Sequence, residues 1–455
     1  MALVSSLYTA LSGLQAQQRV MDVTGHNVAN QTTPGYHRQR VELQSVALHT
    51  GFNQVGQVSL RAGGVMAIAT SRATNDVVAY RAVREDGLRS AADGMAATLG
   101  TIEGFFGEPS DNSIATELQS LWSTWSDVAQ NPGNVSSRTA LLEQTSTVIN
   151  GLRAKASNLQ ETWNTDVSRM KSLAGEVNDL ATQVAGLNKA ISASPEAAND
   201  LLDQRDILIG KLSQLVGATP YTNGAGQMEV IVNGRALVSG QEAYAIQENT
   251  GTLQWVADAR PVNAVSGEAA SLTSAISDVI PRYQAALDGV AASLVQSVNA
   301  LHSTGYDQAG TTGLNFFDPA GVTALTIALS TDVAGQPSRI AAGGAGATAP
   351  GALDGEMARQ LAQLGAAVTG PDEKYRSMIG TLAVETRAAK QSASVQGTIA
   401  DSAKAEMDSE TTVSLDEEMT SLVAAQRAYE ASARVLTAVD EMLGVLLERT
   451  GLVGR

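Results

Sequence analysis

The chain has 455 residues, of which 44% are hydrophobic, 17% charged and 4% aromatic, with no cysteine and a formal net charge of -16. That length suffices for two to four domains of roughly 100–200 residues each, and the absence of cysteine excludes disulfides, thiolate metal sites and cysteine nucleophiles together. The acidity argues against non-specific nucleic-acid binding, because phosphates reward basic patches, and an apolar fraction carried by Ala, Val and Leu rather than aromatics suits narrow helix seams.

The first segment, "MALVSSLYTALSGLQAQQR", lacks the basic start and continuous apolar core of a secretory signal, and no stretch reaches 18 apolar residues, so a membrane span is not expected. If the protein leaves the cell, another route takes it. Leu7, Leu14, Met21 and Val28 recur at seven-residue intervals, with Leu3, Ala10, Gln17 and Thr24 in the second seam position, which predicts a narrow coiled-coil stripe. The helix is expected to end near Asn30. Asn27 and Asn30 are poor helix formers, and Pro34-Gly35 makes a turn that pushes Thr33 to extended geometry. "YHRQRVELQSV" and "GQVSLRAGGVMAIATSR" read as short strands, and residues 76–99 return to a helical pattern.

Ile149, Ala156, Trp163, Met170, Val177, Val184 and Ile191 form one ladder of sevens in the middle of the chain. Leu152, Leu159, Leu173, Leu180 and Leu187 form a second, interrupted only by Asp166. The double ladder predicts a rod over residues 138–191, roughly 80 Å long at 1.5 Å per residue, stopped by Pro195. "NDLLDQRDILIGKLSQLVG" follows as an amphipathic helix with Asp200 as N-cap and Asp203 in the first turn, ending at Gly217. Residues 218–262 change to strand-like alternation, with Met228, Val230 and Val232 on one face and Asn233-Gly234 as a hairpin turn.

Ile280, Leu287, Leu294 and Leu301 restore the helix, which breaks at "TGYDQAGTTG". The Ala/Gly-rich residues 325–355, with one strand-like run "LTIALS", read as a loose β unit or loop. At the end of the chain Leu415, Leu422, Tyr429, Leu436 and Leu443 lie seven apart, with Ala425, Val439 and Leu446 in the companion position. Residues 1–90 hold eight Arg against five Asp plus Glu, a difference of +3, whereas residues 401–455 hold five basic against eleven acidic, a difference of -6. Opposite signs favour pairing of the two terminal helices, with the apolar seam supplying most of the association. A two-helix seam leaves much of each helix uncovered. That leaves two readings open: a self-associating, polymer-building protein, or a monomer whose terminal helices close one bundle.

No chemistry stands out. His26, His37, His49 and His302 show no metal-ligand spacing. "GAAVTGPDEK" has Gly365 and Gly370 at phosphate-loop separation, but Pro371-Asp372 stand where lysine and a hydroxyl are required. "GGAGATAPG" has no strong strand before it and no helix start after it, so a dinucleotide reading is weak. The carboxylates Asp203/Asp206 and Asp416/Glu417/Glu418 sit at helix starts and read as capping acids rather than as an acid–base pair. Arg205 is expected to tie its helix to a neighbour. The expectation is therefore a non-enzymatic protein with no catalytic residue, no cofactor and no metal. A secreted wall-cleaving enzyme is the reading from another class, and it would need a cleft holding a carboxylate of raised pKa.

"ANQTTPGY", from Ala29 to Tyr36 near the end of the first helix, resembles the signature of flagellar axial proteins of the rod, hook and hook-associated type. "LLDQRDILIGKLSQLVG" from Leu201, "LVQSVNALHSTGYDQAGTTGLNFFD" from Leu294 and the ending from Val413 narrow the resemblance to the hook-associated protein 1 family, and it spans nearly the whole chain. A hook or distal-rod subunit is the alternative.

The resemblance implies a mainly α fold with β insertions, in which long coiled-coil-like helices are formed by the N- and C-terminal segments together and a small β domain faces outward. It implies an inner-tube domain of residues 1–35 with 412–455, a helix-rich shell of 36–200 with 263–411, and an outer insertion of 201–262. It further implies export through the flagellar type III apparatus without a cleaved signal. The location implied is extracellular, at the hook–filament junction, and the role is that of a structural subunit needed for filament assembly. The implied partners are other copies in a ring, the hook protein, a second junction protein and an export chaperone, with no nucleic acid. An additional outer domain of some members is expected to be absent. Leu7, Leu14, Met21, Val28, Leu415, Leu422, Leu436 and Leu443 are assigned to inner-tube packing, with Tyr429 covering a neighbour. Ala29, Asn30, Pro34, Gly35 and Tyr36 are expected to set the turn from tube to shell.

Overall fold

A computed structural model describes residues 2–46, 49–52, 58–61, 63–110, 113–194, 198–223, 227–344 and 354–450. Helices dominate it. α1 (Ala2–Ala29) is followed by an antiparallel arm of β1 (Gln39–Val46) and β4 (Gly64–Arg72), with β2 (His49–Phe52) and β3 (Val58–Arg61) pairing between them. Then come α2 (Asp76–Phe106), α3 (Ile114–Gln130), α4 (Val135–Ala193) and α5 (Asn199–Val216).

A sheet of β5 (Thr219–Thr222), β6 (Met228–Val232), β7 (Arg235–Ser239) and β8 (Glu242–Ala243) follows, and then a hairpin of β9 (Ile246–Asn249) and β10 (Thr252–Trp255). The chain returns through α6 (Glu268–Ser274), a π-helical turn over Ala275–Val279, α7 (Ile280–His302), α8 (Glu356–Ala362), α9 (Pro371–Thr411) and α10 (Leu415–Thr450). No described helix is long and apolar enough to cross a membrane.

The double ladder does build one rod. α4 is 59 residues long, about 88 Å at 1.5 Å per residue, and starts with the Asn134 side chain accepting from Ser136 N–H at 2.8 Å. It ends at Ala193 with Ser194 as C-cap, while the expected stop at Pro195 lies outside the described residues. Asp166 interrupts the ladder at a structural border. On its N-terminal side Leu141, Leu152 and Leu159 join α3, α7 and the start of α9 in one apolar core. On its C-terminal side Met170, Val177 and Val184 join α5 and the β5–β8 sheet in a second. Trp163 packs against both cores, and burial pushes the Asp166 carboxyl up in pKa.

The hairpin turn at Asn233-Gly234 is as expected, with φ of 45° and 81°, and Val230 and Val232 are buried on one face. Of the two readings of the Ala/Gly-rich segment the loop holds: "LTIALS" is irregular apart from an isolated bridge of Leu329 to Phe317, Ile327 is buried, and the preceding Ala324 N–H donates to Asp288 Oδ1 at 2.7 Å. Two helices escape a search for heptads. α3 is short, and beyond Tyr375, Met378 and Leu382 α9 buries only small or polar side chains, among them Thr386, Ala400 and Ala403. The Gly-Pro-Asp-Glu run at 370–373 is its start, with proline at the first helical turn and two acids after it.

Candidate assembly joint

The terminal helices α1 and α10 pack along each other. A Cβ on Gly13 would lie 3.1 Å from Ser432 Oγ, and Asn27 Nδ2 donates to Glu418 Oε2 at 2.9 Å. Moving from 13 to 27 on α1 therefore moves from 432 to 418 on α10, fourteen residues in opposite directions, so the pair is antiparallel and in heptad register. The faces that meet are the small ones: Ala10, Ala16, Val23 and Thr24 on one side, Ala425 and Val439 on the other, all buried. Small contacts bring the axes close and leave the larger residues on the flanks. Leu7, Leu14, Met21, Val28, Leu422, Leu436 and Leu443 are half-buried, while Leu415 and Tyr429 remain 43% and 37% exposed. Leu446, expected in the buried companion position, is exposed beside Met442 and Val445.

At its C-terminal end α1 runs into a polar knot. The Asn30 N–H and side-chain amide both donate to the His26 carbonyl at 3.1 Å, closing the helix, and Thr33 N–H returns to the Asn30 carbonyl at 2.9 Å. Gly35 has φ +75°, which favours glycine, and a Cβ there would come within 2.7 Å of Ile207 in α5. Ala29 and Pro34 are exposed at the rim of the turn. Tyr36 folds back, its hydroxyl donating to Asn27 Oδ1 at 2.8 Å and meeting His26 Nδ1 at 3.0 Å. Burial, then the carboxylates of Asp200, Asp203 and Glu418, hold the Tyr36 hydroxyl well above its ordinary pKa, so it stays protonated.

Asn27 is the centre of this knot. Besides Tyr36 and Glu418 it holds the Gln39 backbone from both sides, accepting its N–H and donating to its carbonyl at 2.9 Å each. Arg38 then reaches Glu418 at 2.6 Å and pairs with Glu417, which fixes the start of α10 to the start of β1. His37 binds Asp203 through Nδ1 at 2.7 Å and through its backbone N–H at 3.2 Å. Arg72 adds Asp203 and Asp206 at 2.9 and 2.7 Å.

The acids of α5 are thus tertiary partners rather than caps. Ala198 is the N-cap, no side chain caps it, and Asp200 instead accepts from Gln39 Nε2 at 3.1 Å. The same correction applies to Glu417 and Glu418 of α10, both held by Arg38, with Glu418 buried. Arg205 ties α5 to α4 through Asn188 Oδ1 at 3.3 Å, as expected. His302 lies far from the knot in the first core, donating or accepting between Leu314 O at 2.8 Å and Ala341 N–H at 2.9 Å. Burial lowers its pKa to about 4, which keeps it neutral with Nδ1–H donating and Nε2 accepting. No group of metal-ligating side chains occurs among the described residues.

Paired terminal helices are thus bound to a body through a polar joint, with their heptad residues half-covered. Three family profiles match: the flagellar hook-associated protein FlgK helical domain over residues 99–317, the flagellar basal body rod FlgEFG protein C-terminal over 405–449, and the flagella basal body rod protein over 7–37. Flagellar hook-associated protein 1 of Bacillus subtilis is 27% identical across 99% of both chains. Its counterpart in Salmonella typhimurium is 25% identical over 68% of this chain and 58% of that one. The solved structure of the flagellar hook junction protein FlgK from Burkholderia pseudomallei aligns at a TM-score of 0.49 and 24% identity, covering 52% of this chain and 46% of that one. The chain is thus similar along nearly its whole length to the flagellar hook-associated protein 1 family, the hook–filament junction proteins of the bacterial flagellum. It is a structural protein and not an enzyme.

Proposed function

We propose that copies of this chain form a ring at the outer end of the hook, on which a second junction protein and then the filament build, with an export chaperone carrying the chain beforehand. The observation that carries this reading is the half-covered heptad face of α1 and α10 in a chain whose body ladders are mostly buried. A helix pair in water covers its apolar stripe with something, and in a ring the cover is the neighbouring pair. Residues 1–35 with 412–455 form the inner tube, 36–200 with 263–411 the shell and 201–262 the outward insertion. The knot at Asn27, Tyr36 and Asp203 sets the angle between tube and shell. Leu7, Leu14, Met21, Val28, Leu415, Leu422, Tyr429, Leu436 and Leu443 line the contacts between copies.

Electron microscopy of cells lacking the gene, with an immunoblot for flagellin in the medium, tests the proposal. Complete hooks without filaments and flagellin released unpolymerised are expected. Missing hooks would move the protein down to the rod or hook, and normal filaments would overturn the junction role.

A further inference from the structure

Two surfaces stay open among the described residues. One is a groove of about 430 Å³ beside the polar knot, between α2, α5 and α9, with Val83, Ile207, Ile209 and Met407 among its apolar walls. Asp76, Asp86, Asp203, Asp206 and Asp401 line it against Arg72, Arg89 and Lys404, five acids to three bases, a difference of -2. The other is the β1–β4 arm. Leu43, Val46, Met66 and Ile68 are all exposed on it, Met66 by 53% and Ile68 by 49%. Ile68 is the extra residue of a bulge, since Glu42 pairs with Ala69 and Leu43 with Ala67, and a bulge re-aims the side chain it adds. Between its base residues Gln39 and Arg72 the arm, residues 40–71, carries two Arg against one Glu, a difference of +1.

The arm cannot reach its own groove. Its base, at Gln39 and Arg72, adjoins the groove, but the arm runs back along α1, where Thr9 Oγ1 donates to the Gly63 carbonyl at 2.7 Å and Val65 N–H donates to Ser12 Oγ at 3.3 Å. Those contacts lie fifteen to eighteen residues up the helix from Asn27, about 25 Å at 1.5 Å per residue. A basic arm with apolar knobs and an acidic apolar groove, held apart in one chain, complement each other between two.

We propose that the β1–β4 arm of one copy docks into the α2/α5/α9 groove of the next, with Met66 and Ile68 entering it. The proposal deepens the junction reading and rests on it. Such a contact joins unlike surfaces, and unlike surfaces generate a ring or helix rather than a closed dimer.

The absence of cysteine permits a clean test. M66C and I207C in one chain, treated with a short bis-maleimide in isolated hook–filament particles, should give a ladder of cross-linked multimers, at least ten-fold above M66C paired with V384C on the outer face of α9. Secreted monomer at the same concentration should give none. Equal cross-linking to both sites, or none in particles, would overturn the docking. Filament growth in the same cells reports separately on the junction role, so filaments without the ladder would sink this inference alone. As a second readout, M66D/I68D should be secreted at the normal level and incorporated at least ten-fold less. Normal incorporation would contradict the proposal, as would an apolar dye that binds the groove equally in monomer and particles, since a small-molecule pocket would be open in both.

Discussion

α4 and α10 are written in the same heptad language and end in different states. In α4 the ladder residues Leu152, Leu159, Leu173 and Val177 are fully buried against α3, α5, α7 and the sheet. In α10 the corresponding residues Leu422, Leu436 and Leu443 are half-buried, and Leu415 and Tyr429 are 43% and 37% exposed. The repeat does not say how many helices will share it. The body closes its seams within one chain, whereas the termini close only the small-residue side of theirs.

The sharpest way to break that comparison is to place a charge in each seam. Leu422→Asp or Leu436→Asp should leave secretion intact and abolish incorporation, because a neighbour would bury the unpaired carboxylate at a cost of several kcal/mol. Incorporation at the normal level would remove the seam assignment. Truncation in the body reads the other side: Leu287→Ala, at a fully buried site in α7, should cost the secreted monomer about 3 kcal/mol. Leu436→Ala should cost it less than about 1 kcal/mol. Denaturant midpoints of the two variants give the difference directly, and equal losses would mean that the terminal seam is already closed in the monomer.

His302 belongs to the body and supplies a pH signature. Its pKa falls from an ordinary 6.5 to about 4 on folding, so below 6.5 the unfolded chain takes up a proton that the folded one refuses. Stability should therefore fall as pH drops from 6.5 to about 4, by about 3 kcal/mol from this group. His302→Gln should flatten that slope, and an unchanged slope would assign it to other groups. A similarly small effect is expected at the joint. Tyr36→Phe removes one buried hydrogen bond to Asn27 and should cost about 1 kcal/mol, while leaving the helix pair in place.

Legibility followed the same division. The heptads made α1, α4, α7 and α10 readable, and Asn-Gly chemistry fixed the β6–β7 turn. α9 was missed because its apolar period, Tyr375, Met378 and Leu382, gives way after one heptad to buried small or polar residues, Thr386, Ala400, Ala403 and Thr411. At the joint, "ANQTTPGY" announced a turn, but its partner in "LLDQRD" lies 166 residues away from His37. An acid in a first helical turn serves its own helix or a distant cation, and only the tertiary contact of Asp203 with His37 and Arg72 decides which. The same holds for Glu418, whose burial comes from α1 and Arg38 rather than from its own helix.

Amide hydrogen exchange of α1 and α10, compared between secreted monomer and isolated hook–filament particles, tests the central claim most directly. If neighbouring copies close the terminal seam, residues 1–30 and 415–450 exchange rapidly in the monomer and become protected in the particle, while the 141–159 stretch of α4 is protected in both. Slow exchange of the termini in the monomer would contradict the account and return them to a bundle closed within one chain.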